Sequence, residues 1–107
     1  MTPEGRIKNK INKLLAEYGT NIYVFMPVQI GYGKRTVDYL CCIRGVFFAI
    51  EAKKPESKGR VTALQSATLE QVQDAGGIGF VVYDDASLAE LKRWLDSAMK
   101  VVEWRVA

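Results

Sequence analysis

The chain has 107 residues, of which 49% are hydrophobic and 25% are charged, and this size and composition predict one globular domain with a single core. No apolar run approaches the roughly 18–20 residues that cross a bilayer, and the first residues show no signal peptide, so a membrane location is not expected. The chain has no histidine, which excludes a histidine general base and argues against a zinc site. Its net charge of +3 permits a nucleic-acid partner without requiring one.

A first amphipathic helix is predicted between Thr2, a capping residue followed by Pro3, and Gly19, which ends it. Its surface away from the core carries Arg6, Lys8, Lys10 and Lys13, and its apolar stripe consists of Ile7, Ile11, Leu14, Leu15 and Tyr18. Glu4 also falls on this stripe. This acid either interacts favourably with the helix dipole in the first turn or belongs to a functional site, and both interpretations stay open.

Residues 21–30 are rich in β-branched and aromatic side chains, which predicts a strand, and Pro27 marks that strand as an edge or a bulge. The loop that follows, Gly31 to Thr36, is glycine-containing and basic, with Lys34 and Arg35 near its end. Glycines beside cations suit a backbone that approaches a phosphate, and they equally suit a plain connecting loop.

The segment from Asp38 to Lys53 is predicted to form a β-hairpin, because two apolar runs flank a turn at Arg44 and Gly45. The open ends of an antiparallel hairpin meet, so Asp38 should lie near Glu51 and Lys53. Glu51 and Lys53 are separated by one residue on a strand and therefore point to the same face. The pattern thus brings carboxylates and an amine together at one end of an apolar hairpin.

Carboxylates grouped in this way are typical of a site for a hard metal ion. We expect Asp38, Glu51 and the backbone carbonyl of Ala52 to bind Mg²⁺, which would activate a water molecule and stabilise charge on a phosphate. Lys53 would orient or deprotonate that water, or neutralise the phosphate.

After the hairpin comes a polar segment whose cations are Lys54, Lys58 and Arg60. The next helix is predicted from about Thr62 to Ala75, where a pair of glycines ends it. Gln65 occupies the third helical position after Thr62, which matches a capping box. It also shares one helix face with Leu69, so it either closes the box or points into the site.

Residues 78–83 are nearly all apolar, which is typical of a strand that is buried on both faces, parallel to its neighbour and central in its sheet. Ser87 and Glu90 match a capping box for a last helix. Residues 101–106 predict an edge strand, or an arm that packs on a second subunit, whose apolar face carries Val102, Trp104 and Val106. The predicted order α-β-β-β-α-β-α defines an α/β protein with a mixed sheet flanked by helices.

This placement of acid, acid and lysine resembles the PD-(D/E)xK nucleases, whose restriction-endonuclease-like core is α-β-β-β-α-β. More narrowly, the chain from Glu4 to about Tyr83 is similar to the small, single-domain VRR-NUC proteins of phages and bacteria, so residues 1–107 are expected to form one such domain. Val37 departs from the family pattern, since a proline usually precedes the catalytic aspartate and shapes the approach to its strand. The residues that carry the resemblance are Gly31-Tyr32-Gly33-Lys34, Asp38, Ile50-Glu51-Ala52-Lys53, Ala63-Leu64-Gln65, Ala75-Gly76-Gly77 and Val81-Val82.

The resemblance implies a Mg²⁺-dependent DNA endonuclease, with Mn²⁺ as a substitute, in the cytoplasm of a bacterial or phage-infected cell. It makes Asp38 and Glu51 the metal ligands and Lys53 the catalytic lysine. Gln65 becomes a polar active-site residue, and Glu4 becomes the acid that many members add from the first helix.

Small members of this family look like Holliday-junction resolvases and pair as homodimers, so a dimer that prefers branched DNA is expected. Phosphate contacts would come from the cations that surround the site, which are Lys34, Arg35, Lys54, Lys58 and Arg60. Two other classes of protein also fit the sequence. One is a non-catalytic nucleic-acid-binding module with a nuclease-like fold, and the other is a small structural or regulatory protein whose charges are simply solvated.

Overall fold

A computed structural model of the chain describes residues 1–28 and 37–100. Within these residues the helices are α1 (Pro3–Ala16), α2 (Ala63–Asp74) and α3 (Asp85–Ala98), and the strands are β1 (Ile22–Phe25), β2 (Tyr39–Ile43), β3 (Val46–Ala52) and β4 (Ile78–Val82). The strands form one mixed sheet in the order β1-β2-β3-β4. The expected α/β class, with a mixed sheet flanked by helices, is therefore confirmed.

The hairpin of β2 and β3 forms as the sequence predicts. Arg44 and Gly45 form its turn, with positive φ angles of 49° and 87°. Positive φ at both central residues is typical of two-residue hairpin turns. Pairing is antiparallel, with Tyr39 opposite Ile50 and Ile43 opposite Val46. This register fixes which residues meet at the open end of the hairpin.

Strand β4 runs parallel to β3, as predicted, with Phe48 opposite Ile78 and Ala52 opposite Val82. The prediction of a central position is wrong for the described part of the chain, where β4 lies at one end of the strand order. Its apolar character has another cause, because α2 packs on one of its faces and α3 contacts it as well. Helices, rather than a further strand, cover its side chains.

The sheet has a helix layer on each side. On one side α1 and α3 enclose the larger core, in which the ring of Phe48 lies 5.0 Å from that of Trp94. On the other side α2 packs Leu69 and Val72 against Ala49. Because side chains alternate along a strand, β3 presents Phe48 and Ala49 to these opposite layers.

The predicted capping residues of α1 and α2 are confirmed, whereas α3 begins earlier than predicted. Thr2 Oγ1 accepts the N–H of Gly5 at 3.0 Å. For α3 the predicted box of Ser87 with Glu90 is wrong, because Asp84 is the cap and its carboxylate accepts the N–H of Ser87 at 2.8 Å. A carboxylate at this position satisfies the first free N–H groups one turn earlier than Ser87 could.

Some predictions fall outside the described residues. They concern the loop Gly31–Thr36 with Lys34 and Arg35, and the tail with Val102, Trp104 and Val106. Among the residues that are described, no helix combines the length and the apolar character needed to cross a membrane.

Candidate metal and phosphate site

Asp38 and Glu51 face each other across the open end of the hairpin. The register that pairs Tyr39 with Ile50 places Asp38 opposite Glu51 one residue further along. Their carboxyl groups are close enough for each to shift the pKa of the other. The predicted convergence of these carboxyl groups is therefore present, and Ala49, which points to the same face as Glu51, places it on the α2 side of the sheet.

Asp38 is held by contacts to both of its carboxylate oxygens. Oδ2 accepts the backbone N–H of Ala52 at 2.8 Å, and Oδ1 lies 3.2 Å from the Nζ of Lys8. Burial on its own would raise the pKa of Asp38, but the hydrogen bond with Glu51, the Ala52 N–H and the charge of Lys8 outweigh it and lower that pKa. Asp38 is thus the member of the pair that carries the negative charge.

The pKa of Glu51 shifts in the opposite direction from that of Asp38. Its residue is 1% exposed, and its Oε1 has no hydrogen-bond partner. Burial, and then the hydrogen bond and charge of Asp38, raise the pKa of Glu51 to about 9, although Lys53 acts against this shift. In the absence of a metal ion the pair therefore holds one proton at neutral pH, and Glu51 is the residue that keeps it.

Lys53 lies beside Glu51 as predicted. Its Nζ is 3.9 Å from Glu51 Oε2, and its side chain is only 17% exposed. The backbone N–H of Lys53 donates to the carbonyl of Val82 at 2.9 Å, which fixes the end of β3 against β4. The amine is therefore carried by the residue directly after β3, whose backbone is bonded to β4.

The sequence pattern missed Lys8. It assigned this residue to the surface of α1 away from the apolar stripe, but the long side chain reaches Asp38 and is 34% exposed. The helix is anchored here because the hydroxyl of Tyr39 donates to Asn12 Oδ1 at 2.7 Å. The only signal in the sequence is the i,i+4 spacing of Glu4 and Lys8, which pairs an acid with a base on one helix face.

Glu4 reaches the site only through Lys8. Its Oε2 lies 3.9 Å from Lys8 Nζ, and its side chain is 45% exposed. Across the described ranges no group of three or more His, Cys, Asp or Glu residues is placed to hold a metal ion. Glu4 is thus located at the rim beside Lys8, and its predicted catalytic role stays a prediction.

Gln65 closes the capping box of α2. Its Oε1 accepts the backbone N–H of Thr62 at 3.0 Å, while Thr62 Oγ1 accepts the N–H of Gln65 at 3.1 Å. The side chain is buried on the face of α2 that also carries Leu69 and Val72. The sequence left capping and an active-site role as alternatives, and the structure shows the capping contact.

The removal of this cap has an expected cost. Gln65→Ala should lower the free energy of unfolding by about 0.5–2 kcal/mol, because the backbone N–H of Thr62 loses its acceptor and the reciprocal half of the capping box is removed. Gln65→Glu, which keeps an oxygen acceptor, should lose less. Urea unfolding of both variants tests this, with turnover per folded molecule measured in parallel. If turnover falls in the alanine variant beyond the loss of folded protein, Gln65 also acts in the site.

The predicted phosphate-contacting cations that are described follow directly after Lys53. Lys54, Lys58 and Arg60 are all exposed, on a segment that contains a short 3₁₀ turn at Pro55–Ser57. Lys58 ends this turn in the left-handed conformation, with φ at 52°. Their contact with phosphate stays a prediction.

The donor groups at the site fit a small, hard cation. Glu51 Oε1 is a buried oxygen without a partner, and Asp38 supplies a charged carboxylate. The backbone N–H of Lys53 points toward β4. Because the backbone groups of successive residues point to opposite edges of a strand, the N–H and the carbonyl of Ala52 both point toward Asp38. These few protein oxygens suit Mg²⁺, which usually keeps several water ligands.

The raised pKa of Glu51 predicts how the metal-free protein responds to pH. The ordinary pKa is 4.5 and the folded value is about 9, so unfolding releases a proton between these values and stability falls as pH rises through this range. The chain has no histidine to obscure the effect. We expect the melting temperature in a chelator to fall from pH 5 to pH 8, and Glu51→Gln to remove most of that fall. A wild-type melting temperature that rises over the same range would contradict the assignment of the proton.

Comparison with known proteins gives no family for this chain. It matches no family model, and no curated protein matches it significantly.

Proposed function

We propose that the protein is a metal-dependent endonuclease that hydrolyses phosphodiester bonds in DNA. The observation that carries the proposal is the buried and unpartnered carboxyl oxygen of Glu51, which lies opposite Asp38 and beside Lys53. Burial of an unsatisfied polar atom costs roughly 1–3 kcal/mol, so a residue of this kind is expected to have a ligand in the working state. Mg²⁺, or Mn²⁺ in its place, meets that requirement.

The chain's own residues have distinct tasks in this proposal. Asp38, Glu51 and the carbonyl of Ala52 would hold the metal ion, which when bound lowers the pKa of a coordinated water and stabilises charge on the phosphate. Lys53 positions the attacking water and offsets negative charge as the water oxygen bonds to phosphorus and the leaving oxygen departs. Lys8 acts indirectly, because its amine, 3.2 Å from Asp38 Oδ1, orients the carboxylate of Asp38.

We infer further that the order α1-β1-β2-β3-α2-β4 is the restriction-endonuclease-like core of the PD-(D/E)xK nucleases. The antiparallel β1-β2-β3 meander followed by a parallel β4 supports this inference. So does the location of Asp38 at the start of β2 and of Glu51 near the end of β3.

A non-catalytic nucleic-acid-binding module remains the alternative. The group of exposed cations after β3 would serve either protein, whereas the Asp38–Glu51 pair has a use only in the nuclease. The test is incubation of linear, flapped and four-way DNA with the purified protein, with Mg²⁺ or Mn²⁺ and with a chelator. Cleavage that requires the metal supports the nuclease. Binding of DNA without cleavage in either metal would favour the binding module.

We also propose that the protein works as a homodimer. In the described part of the chain β1 lies at one end of the sheet, and Val24 within it and Met26 and Val28 after it are exposed. A two-fold pair would use the same surface twice and bring two sites together, which suits a branched DNA more than a straight duplex. Light scattering should give twice the mass of the 12.0 kDa chain. A monomer mass at micromolar protein would remove the dimer, and equal cleavage of a four-way junction and a linear duplex would remove the preference.

A further inference from the structure

In the part of the chain that the structure describes, the sheet has an exposed apolar surface, here called the aromatic face and formed by Tyr23, Phe25, Leu40, Cys42 and Phe47. These residues line an open cavity of about 410 Å³. Tyr23 is 67% exposed, Phe25 50% and Phe47 42%, which is unusual for rings of this size. Helix α2 covers β3 and β4 and its core cluster includes Leu40 at the margin, whereas no described helix packs on Tyr23 and Phe25.

The aromatic face lies on the same side of the sheet as the carboxyl pair. Pairing puts Phe25 opposite Leu40 and Tyr23 opposite Cys42, and paired residues share a face. Leu40 pairs with Ala49, and Glu51 follows Ala49 by two residues on the same face of β3, so Phe25 lies roughly 7 Å along the strands from the Glu51 row, and Tyr23 about 14 Å. The exposed rings therefore form a line that leads away from the proposed site of cleavage.

The charge around the aromatic face suits a polyanion. No aspartate or glutamate occurs between Tyr18 and Val37, or between Tyr39 and Ile50. Arg44 is exposed at the hairpin turn, and it lines a second open cavity together with Tyr23 and Cys42. The aromatic face thus has a cation at its far end and the catalytic pair at its near end.

We infer that the aromatic face binds unpaired DNA bases next to the cleaved bond, an inference that rests on the proposed nuclease function. Exposed aromatic rings on a sheet stack on unpaired bases in single-strand-binding domains, and this contact does not depend on base identity. Phe25 and Tyr23 would each stack on one base while Arg44 contacts a phosphate. A second copy of the chain on this surface would lie against the opening of the active site, which makes it the less suitable occupant.

The experiment measures binding of a fluorescein-labelled oligothymidylate and of a blunt duplex in a chelator, so that cleavage does not interfere. Phe25→Leu and Tyr23→Leu keep an apolar side chain but remove the ring, and each should weaken oligothymidylate binding about tenfold. Phe25→Trp and Tyr23→Trp should restore it. Duplex binding and the slope of affinity against salt should not change, because no phosphate contact is lost. Leu64→Ala is the matched control, since Leu64 is exposed to 41% but lies outside the aromatic face.

Several results would overturn the inference. One is a wild-type protein that does not bind oligothymidylate. Another is wild-type affinity for oligothymidylate in both leucine variants. A third is a lower molecular mass of the leucine variants by light scattering, which would assign the aromatic face to a second copy of the chain. Failure of the proposed nuclease function can be distinguished from failure of this inference. A protein that loses oligothymidylate binding in the leucine variants but never cleaves DNA with Mg²⁺ keeps the stacking surface and loses the proposed activity.

Discussion

Asp38→Asn and Glu51→Gln should each abolish metal-dependent cleavage of DNA while the fold is retained. Each change replaces a carboxylate by a neutral amide, which weakens the binding of a hard divalent cation. In Asp38→Asn the amide oxygen can still accept the N–H of Ala52, which Asp38 Oδ2 accepts at 2.8 Å in the wild type. Because Glu51 holds a proton in the metal-free fold, its glutamine variant should melt no lower than the wild type at pH 8. The measurement is cleavage under Mg²⁺ beside a thermal melt.

Asp85→Asn is the matched control for these variants. Asp85 pairs with Lys10 at 2.8 Å on the exposed surface between α3 and α1. Its loss should leave cleavage and stability close to those of the wild type, as expected for an exposed ion pair. If Asp38→Asn or Glu51→Gln cleaves DNA at the wild-type rate, the site has been assigned to the wrong residues.

Lys53→Ala should reduce the single-turnover rate of cleavage by about 10²–10⁴, the range typical of a positioned acid–base group. The affinity for DNA should change little, because the amine lies 3.9 Å from Glu51 and is mostly buried. Lys54→Ala is the matched comparison. Lys54 is the next residue in the chain and is exposed, so its loss should weaken binding and the salt dependence of binding but spare the rate at saturating DNA. A Lys53 variant that loses only affinity would make Lys53 an ordinary phosphate contact.

The hairpin and the carboxyl pair could be predicted because the signals are local. A turn at Arg44 and Gly45 between two apolar runs sets the register, and the register alone brings Asp38 to Glu51. The single residue between Glu51 and Lys53 then gives the shared face. None of these steps depends on how the helices pack.

The remaining features depend on tertiary packing, which the sequence pattern does not contain. Lys8 reaches Asp38 only because α1 crosses the start of β2, where Tyr39 donates to Asn12. The protonation of Glu51 follows from complete burial beside a second carboxyl group. The position of β4 at one end of the strand order likewise depends on tertiary packing, because α2 and α3 contact this strand and leave it half-buried apart from Val82.

Binding of Mn²⁺ followed by electron paramagnetic resonance tests the central claim most directly, because it needs no knowledge of the substrate. The signal of free Mn²⁺ reports how much metal the protein has taken up at pH 8. We predict one site per chain in the wild-type protein, lost in Asp38→Asn and in Glu51→Gln and retained in Asp85→Asn. Binding should weaken as pH falls, because Glu51 must release its proton to become a ligand. Equal Mn²⁺ binding by the wild type and both carboxyl variants, or no binding by the wild type, would contradict a metal site at Asp38 and Glu51.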